Sequence, residues 1–225
     1  MLDIAPIAAE LTALATGVSM FALPPFDPGL EMVVSSRGMS KGIEQADEPQ
    51  VIPKAYVDIG VLEFGGQWKN VTSSTGTGEA SAFVSASHDL GPYSFSIGAA
   101  YKVQTGAVPG ADTDSLELSA GASRSFGRLS VAANAYYTPD DLGNTRRSLY
   151  VEAGPAFALT KTLRLSANVG RRTRVNGADY LAGSIGFTKT FARHLGIDLR
   201  LYQTNRRDLG DVYRRRVVIA GHWLF

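Results

Sequence analysis

The last ten residues of the chain, Arg216–Phe225, read RVVIAGHWLF. Every second residue from Val217 onward falls on one face of an extended strand, and that face is mostly apolar and ends on an aromatic side chain. The opposite face is mixed and includes Arg216 and His222. A soluble protein seldom ends on such a strand, because its open edge would invite aggregation. The stretch is typical instead of the strand that closes a membrane barrel, with apolar side chains toward lipid and polar ones toward the lumen.

The same alternation recurs from Leu30 onward, in about twelve segments that include the last one. The clearest segment is Tyr93–Gln104, where aromatic and aliphatic residues alternate mainly with serine, glycine, lysine and glutamine. Long polar connections alternate with short ones. The long ones are Met39–Gln50, Asn70–Gly78, Thr105–Ser115, Pro139–Arg146, Val175–Asp179 and Arg207–Val212, and the short ones lie near Gly60, Asp89–Pro92, Gly127, Thr160–Thr162 and Ala192–His194.

This loop pattern is that of bacterial outer-membrane barrels, with long extracellular loops, short periplasmic turns and both chain ends in the periplasm. The sequence therefore predicts an all-β fold: a closed antiparallel transmembrane β-barrel of about twelve strands over residues 30–225, after a short N-terminal extension over residues 1–29. The alternative is a soluble sandwich or lipocalin-like barrel, which would have to turn its apolar face inward.

Composition is compatible with such a barrel. The chain has 225 residues with a mean hydropathy of −0.02, and no run approaches the roughly 20 apolar residues of a membrane helix. Barrel strands need only about 9–11 residues, half of them facing the lumen, so bulk hydropathy does not reveal them. The absence of cysteine excludes disulfides, zinc–thiolate sites and cysteine nucleophiles.

Within the N-terminal extension, Ile7, Leu11 and Leu14 share one helical face, which predicts a short amphipathic helix over about Ile4–Thr16. The apolar run near Leu11–Leu23 lacks the preceding basic region of a secretory signal, since Asp3 and Glu10 stand in its place. Three interpretations stay open for the extension: a plug in the lumen, a periplasmic tail, or the remnant of a targeting segment.

The face opposite the apolar one predicts the side chains that line the lumen. The basic candidates are Lys54, Lys69, Lys102, Arg164, Arg172, Arg174, Arg200, Arg206, Arg214 and Arg216. The acidic candidates are Asp58, Glu63, Glu117, Glu152 and Asp198. Positive charge is in excess and is concentrated in the last four strands.

A ring of one charge sign in a narrow pore favours ions of the opposite sign. The sequence thus predicts a porin-like channel for passive diffusion of small, preferably anionic solutes, with Arg172, Arg200 and Arg216 as the main determinants. The alternative is that these arginines pair with carboxylates or bind lipopolysaccharide. The protein would then be a non-conducting structural or surface-interaction barrel.

Aromatic residues are expected at the two membrane interfaces. Trp68, Tyr101 and Tyr137 fall toward the outer rim, and Tyr93, Phe157, Phe187, Phe191, Trp223 and Phe225 toward the periplasmic rim. Four basic residues fall on the lipid face near strand ends, where long side chains can reach the interface. These are Arg124 and Lys189 at periplasmic ends and Arg171 and Arg215 at extracellular ends.

No pattern in the sequence indicates catalysis. His222 faces the lumen with no serine or aspartate at a spacing that suggests a triad, His194 falls in a periplasmic turn, and His88 falls near a strand end. The His-x-Ser-Asn-Gly run of outer-membrane phospholipase A, phosphate-binding loops and nucleic-acid modules are absent. We therefore predict no enzyme activity, with a lipid-modifying barrel enzyme as the least favoured alternative, and no cofactor, metal or nucleic-acid partner. The expected partners are outer-membrane lipid and lipopolysaccharide, small solutes, and the barrel-assembly machinery.

One stretch carries a family resemblance. Arg37–Gln50, RGMSKGIEQADEPQ, resembles the signature region of the TorF-family porins, also called the Gcw_chp family of proteobacterial outer-membrane proteins. The following strand Val51–Ile59, with Asp58, and the tryptophan-bearing stretch Phe64–Val71 are similar to the family's next two segments. The C-terminal phenylalanine also resembles the assembly signal of bacterial outer-membrane proteins. The resemblance implies a porin-like barrel in a Gram-negative outer membrane and names neither a solute nor catalytic residues.

Overall fold

The computed structural model describes residues 26–73, 76–142, 145–192 and 194–225. The helix expected over Ile4–Thr16 lies outside them. Fourteen strands form in the described chain, with short 3-10 turns at Arg207–Leu209 and Asp211–Tyr213. The strands are β1 Phe26–Ser35, β2 Gly38–Ser40, β3 Ile43–Ala46, β4 Gln50–Ile59, β5 Leu62–Asn70, β6 Gly78–Leu90, β7 Tyr93–Thr105, β8 Asp114–Phe126, β9 Leu129–Thr138, β10 Ser148–Ala158, β11 Leu163–Arg174, β12 Tyr180–Ala192, β13 Leu195–Thr204 and β14 Arg216–Leu224. Within the described ranges, no helix has the length and apolarity to cross a bilayer.

Twelve of these strands close into one antiparallel barrel, in the order β1, β4 to β14, and back to β1. This confirms the fold class predicted from the alternating pattern. The closing seam pairs β1 with β14 over five residues, from Glu31 opposite Leu224 to Ser35 opposite Ala220. By contrast, β1 pairs with β4 over ten residues. The amide of Phe225 donates to the carbonyl of Leu30 at 2.9 Å, so the last residue takes part in the closure.

The barrel turns its apolar side chains outward. Phe95 and Ile97 on β7 are 47% and 66% exposed, and Leu199 and Ile219 are exposed on the other side of the barrel. The buried side chains include many charged ones, among them Glu44, Lys69, Glu79, Glu117, Arg172 and Asp198. The alternative of a soluble barrel with an apolar interior is therefore wrong for this chain.

Short turns and long connections lie at opposite ends of the barrel, as the sequence predicted. We call these the short-turn end and the long-loop end. The turns at Gly60, Gly91 and Gly127 have φ values of 64°, 60° and 63°, a conformation that glycine adopts without a Cβ penalty. At the seam, β1 begins at Phe26 and β14 ends at Leu224, and both of these residues lie at the short-turn end.

The connection between β1 and β4 differs from the expected polar loop. Strands β2 and β3 pair as a hairpin through a two-residue turn at Lys41 and Gly42, with φ of 49° and 79°. Turns with positive φ at both central positions match the twist of paired strands, which favours a hairpin here. The side chains of β2 are buried, and those of β3 alternate between half-buried and buried. We call residues 36–49 the inner hairpin, because they fold into the lumen at the long-loop end.

Candidate functional site

The tip of the inner hairpin reaches the opposite wall of the barrel. The Lys41 ammonium forms an ion pair with one carboxylate oxygen of Glu117 on β8. The Lys102 ammonium on β7 lies 2.7 Å from the other oxygen of the same carboxylate. Burial lowers the pKa of the Lys41 ammonium from its ordinary 10.5 to about 8, because the charge loses water, although Glu117 acts in the opposite direction. Glu117 thus links the tip to two strands of the wall.

The base of the inner hairpin is held by the last strand. Arg216 on β14 donates from Nε and from one terminal nitrogen to the two oxygens of Glu44, both at 2.9 Å. Arg37 donates to the same carboxylate at 2.6 Å, and Arg216 also contacts Asp211 in the last long loop. A bidentate guanidinium–carboxylate pair fixes orientation as well as distance. Glu44 is therefore locked between two arginines.

Close packing holds the flank of the inner hairpin. The Tyr180 hydroxyl on β12 donates to the Lys41 carbonyl at 2.9 Å. A Cβ on Gly42 would overlap the methyl group of Ala182, so glycine permits this approach as well as the positive φ. Two small apolar clusters complete the contact: Met39 with Tyr202 and Val218, and Ile43 with Tyr180, Ala182 and Tyr213. The hairpin is packed into the lumen by polar and apolar contacts together.

A cavity of about 60 Å³ remains beside the tip of the inner hairpin. This is space for only a few water molecules. Its charged lining is balanced in sign and consists of Lys41, Lys69, Lys102 and Arg172 against Glu79, Glu117, Asp141 and Glu152. In this conformation the inner hairpin therefore constricts the long-loop end of the lumen, next to Glu117 on β8 and Arg172 on β11.

The basic residues predicted to line the lumen lie mostly in ion pairs. The pairs are Lys54–Glu63 at 3.1 Å, Lys69–Glu79 at 3.1 Å, Lys102–Glu117 at 2.7 Å, Arg200–Asp198 at 3.0 Å, Arg216–Glu44 at 2.9 Å, and Arg172–Asp141. Arg206 and Arg214 lie in the last long loop and pair with Asp208 at 3.1 Å and Asp211 at 3.2 Å. Most of the predicted basic side chains thus have a carboxylate partner.

The remaining predicted residues have other partners. Arg164 donates to the Ser130 hydroxyl at 2.6 Å, and Arg174 to the Tyr213 hydroxyl at 2.6 Å. Glu152 accepts from the Tyr150 hydroxyl at 3.0 Å. Asp58 lies on the inward face of β4, opposite Glu63. The aromatic residues Trp68, Tyr93, Tyr101, Tyr137, Phe187, Trp223 and Phe225 are exposed on the outer wall near strand ends.

Sequence reasoning did not identify several residues of this site. Lys41 and Glu44 fell in a stretch interpreted as an exposed loop, and Glu79 and Asp141 lay just outside the predicted strands. One signal was available: Lys41-Gly42 between Ser40 and Ile43 fits a two-residue hairpin turn. The pattern alone does not say that this hairpin folds inward.

The short-turn half of the lumen has a different lining. The Lys54 ammonium lies 4.6 Å from the centre of the Tyr56 ring and 4.9 Å from that of Phe83. The Phe83 ring occupies the space above Gly65, where a Cβ would overlap it. The ring therefore lies against the wall. The neighbouring strands carry small inward residues in this half: Ser94, Ser96 and Gly98 on β7, and Ser119, Gly121 and Ser123 on β8.

The barrel is similar in fold to solved porin and channel structures. It aligns with the KdgM porin at a TM-score of 0.64 and 8% identity, over 88% of this chain and 99% of that chain. The NanC porin aligns at 0.62 and 8% identity, over 87% and 99%. The COG4313 outer membrane channel from Pseudomonas putida F1 aligns at 0.51 and 8% identity, over 93% and 98%. No family model and no curated protein matches the sequence. At this identity the likeness shows a shared barrel fold.

Proposed function

We propose that the protein is a porin-like channel of the Gram-negative outer membrane, in which the inner hairpin sets the constriction for passively diffusing small solutes. The observation that carries the proposal is the hairpin across a closed barrel, bound at Glu44 and Glu117, inside a wall whose outer face is apolar. A closed barrel satisfies all of its backbone hydrogen bonds between strands, which lets it cross a bilayer. The fold shared with the KdgM and NanC porins supports the proposal.

In this proposal the barrel, whose first strand begins at Phe26 and not at residue 30, crosses the membrane with both termini in the periplasm and the long loops outside. The outward aromatic residues at the two ends of the wall then lie at the two interfaces. Lipid and lipopolysaccharide surround the wall, and the C-terminal strand contacts the barrel-assembly machinery. The resemblance of Arg37–Gln50 to the TorF family agrees with this arrangement, and its signature region is the inner hairpin itself.

A preference for anions is the finer part of the proposal. Arg200 and Arg164 extend from the inward faces of β13 and β11, and each donates to a serine hydroxyl, at 2.9 Å and 2.6 Å. Asp198 offsets the charge of Arg200. We therefore expect a modest preference. A solved complex of the KdgM porin contains disordered oligogalacturonate, which makes acidic oligosaccharides one class of solute to test.

Single-channel recording in planar bilayers tests the proposal. We compare the full chain with a variant in which residues 39–45 are replaced by a short Gly-Ser linker. We expect a larger conductance for the variant, because the hairpin no longer crosses the lumen. The matched control replaces residues 107–112 of the loop between β7 and β8, which should leave conductance unchanged. If neither the full chain nor the trimmed variant conducts, the channel proposal fails.

Reversal potentials in a salt gradient test the selectivity. We expect the full chain to favour anions, and Arg200→Gln to shift the potential toward zero. Cation preference in the full chain would remove the anion claim and leave the channel itself in place.

The cavity of about 60 Å³ favours a second candidate, a barrel whose lumen stays closed and whose role is structural or in surface interaction. The same recordings separate the two candidates. A silent full chain with a conducting trimmed variant indicates the closed barrel, whereas current through both indicates a restricted channel.

A further inference from the structure

The outer wall has an open groove of about 410 Å³ near the long-loop end, over strands β11, β12 and β13. Gly183 on β12 lies at its centre, paired with Val169 on one side and Gln203 on the other. Because Gly183 has no side chain, the outward face is recessed there. Larger side chains border the recess: Val169, Leu181, Ile185 and Leu201. The recess and the side chains around it form an apolar groove on the outer wall.

Two guanidinium groups flank the long-loop end of this groove. Arg171 on β11 pairs directly with Leu181, a residue of the groove, and its side chain is 67% exposed. Its ion-pair partner Asp179 is 4.0 Å away, at the limit of such a contact. Arg215 is exposed and donates to Oε1 of Gln203 at 3.1 Å and 2.8 Å. Since Gln203 also lines the groove, both arginines lie within one residue of it.

The position of Arg171 is unusual for a charged side chain. It lies within a strand, on the outward face that Val169 shares, where basic residues are costly away from the interface. An anionic group closer than Asp179 would lower this cost further. At the same end of the barrel, the outward positions of β5, β7 and β9 carry Trp68, Tyr101 and Tyr137 instead. Arg171 and Arg215 thus both lie in the sector that also has the groove.

We propose that this sector binds lipopolysaccharide, with one acyl chain in the groove over Gly183 and phosphate groups on Arg171 and Arg215. The inference rests on the proposed function, because the long-loop end faces the outer leaflet only in that orientation. Guanidinium groups match phosphate oxygens in a bidentate geometry and stay charged at any physiological pH. A recess of this size accepts part of an alkyl chain, whose burial is favourable in proportion to its area.

Native mass spectrometry of the purified full chain in detergent tests the proposal, with deep-rough lipopolysaccharide as the probe. We expect Arg171→Gln combined with Arg215→Gln to weaken binding at least about tenfold, because charge-assisted contacts to phosphate are lost. Gly183→Leu should weaken it by a similar factor, because the side chain fills the groove. Dephosphorylated lipopolysaccharide should bind the full chain as weakly as lipopolysaccharide binds the double arginine variant.

Matched controls separate the site from general effects on the wall. Lys189→Gln removes an outward basic residue at the short-turn end, where Lys189 donates to the Thr162 hydroxyl at 2.8 Å. Gly66→Leu fills an outward glycine position on β5, whose nearest neighbour is a backbone oxygen at 3.4 Å. We expect both to bind as the full chain does. Circular dichroism confirms that each variant is folded.

Equal binding of lipopolysaccharide by all variants would overturn the proposal. So would equal binding of phosphatidylglycerol, because a site for any anionic lipid is not the site proposed. The assay measures no current, so its failure leaves the channel proposal standing. A barrel that binds lipopolysaccharide but never conducts contradicts the channel proposal alone.

Discussion

Arg216 and Glu44 are separated by 172 residues in the chain and are joined by two hydrogen bonds of 2.9 Å. The Glu44 side chain is 3% exposed, and that of Arg216 is 14% exposed. Through this pair the final strand of the barrel holds a segment that follows the first strand. Lys41 and Glu117 form the corresponding contact at the far end of the inner hairpin.

Removing the charge at Glu44 should release the base of the inner hairpin. Breaking a buried ion pair costs about 3 kcal/mol when the other charge is left uncompensated. Arg216 keeps its contact with Asp211, so we expect a smaller cost here. We expect Glu44→Gln to raise the mean conductance or to produce openings that the full chain lacks, in planar-bilayer recordings. The control is Asp208→Asn, which removes an exposed partner of Arg206. Identical traces for Glu44→Gln and the full chain would contradict the role of this pair.

A side chain at Gly42 should displace the tip of the inner hairpin. Gly42→Val meets both the methyl group of Ala182 and the unfavourable φ of 79°. We expect a larger conductance with a barrel that is still folded by circular dichroism. Gly110→Val is the matched control, because Gly110 has a φ of 83° and nothing within 4 Å of its Cβ position. Both variants carry the backbone strain, so a difference between them reports the contact with Ala182.

The hairpin should bind the wall more tightly as the pH rises through the pKa of Lys41. That pKa is about 8 with the hairpin in place and returns toward the ordinary 10.5 when the lysine is in water. Between these values the docked state carries fewer protons than the released one, so raising the pH favours docking. We expect the conductance to fall as the pH of one channel preparation is raised stepwise from 7.5 to 9.5. In Lys41→Met this fall should disappear, and its persistence there would assign it to another group.

The wall under Phe83 offers a test of the short-turn half of the lumen. Gly65→Val would push the Phe83 ring away from the wall, because the new Cβ would lie 2.4 Å from that ring, and it would also crowd the Ala55 backbone carbonyl at 2.6 Å. We expect a lower conductance in the hairpin-trimmed barrel, where this half limits the current. The neighbouring Gly66 points outward and has only a backbone oxygen of Ser81 at 3.4 Å. Gly66→Val should therefore leave the current unchanged, and an equal loss in both variants would indicate damage to the strand.

The barrel was predictable because its signal is local. Alternation at period two, as in Tyr93–Gln104, needs only neighbouring residues to be recognised, and loop lengths follow from the gaps between such segments. The inner hairpin was not predictable in the same way. Its polar sequence suits an exposed loop and a polar lumen equally well, and its contacts at Glu117, Tyr180 and Arg216 are 76, 139 and 172 residues away.

The predicted excess of positive charge in the lumen also depended on contacts between residues that are distant in the sequence. Assigning charges to strand faces found Arg172 and Arg216, but their partners Asp141 and Glu44 lie in connections between barrel strands. The charge of a lumen therefore cannot be summed from its strands when loops fold into it. A sequence with a long polar connection containing a two-residue turn should be considered for an inward hairpin.

The seam between β1 and β14 has the shortest ladder of the barrel, five residues against six between β4 and β5. The inner hairpin begins where β1 ends, and its first residue, Ser36, donates its amide to the Ile219 carbonyl on β14 at 2.8 Å. With Arg216 on Glu44, the segment fastens the two ends of the sheet to each other from within. We therefore expect assembly of the barrel to end at this seam. The sheet curves until β1 and β14 pair, and the inner hairpin then stabilises a junction that has few backbone hydrogen bonds of its own.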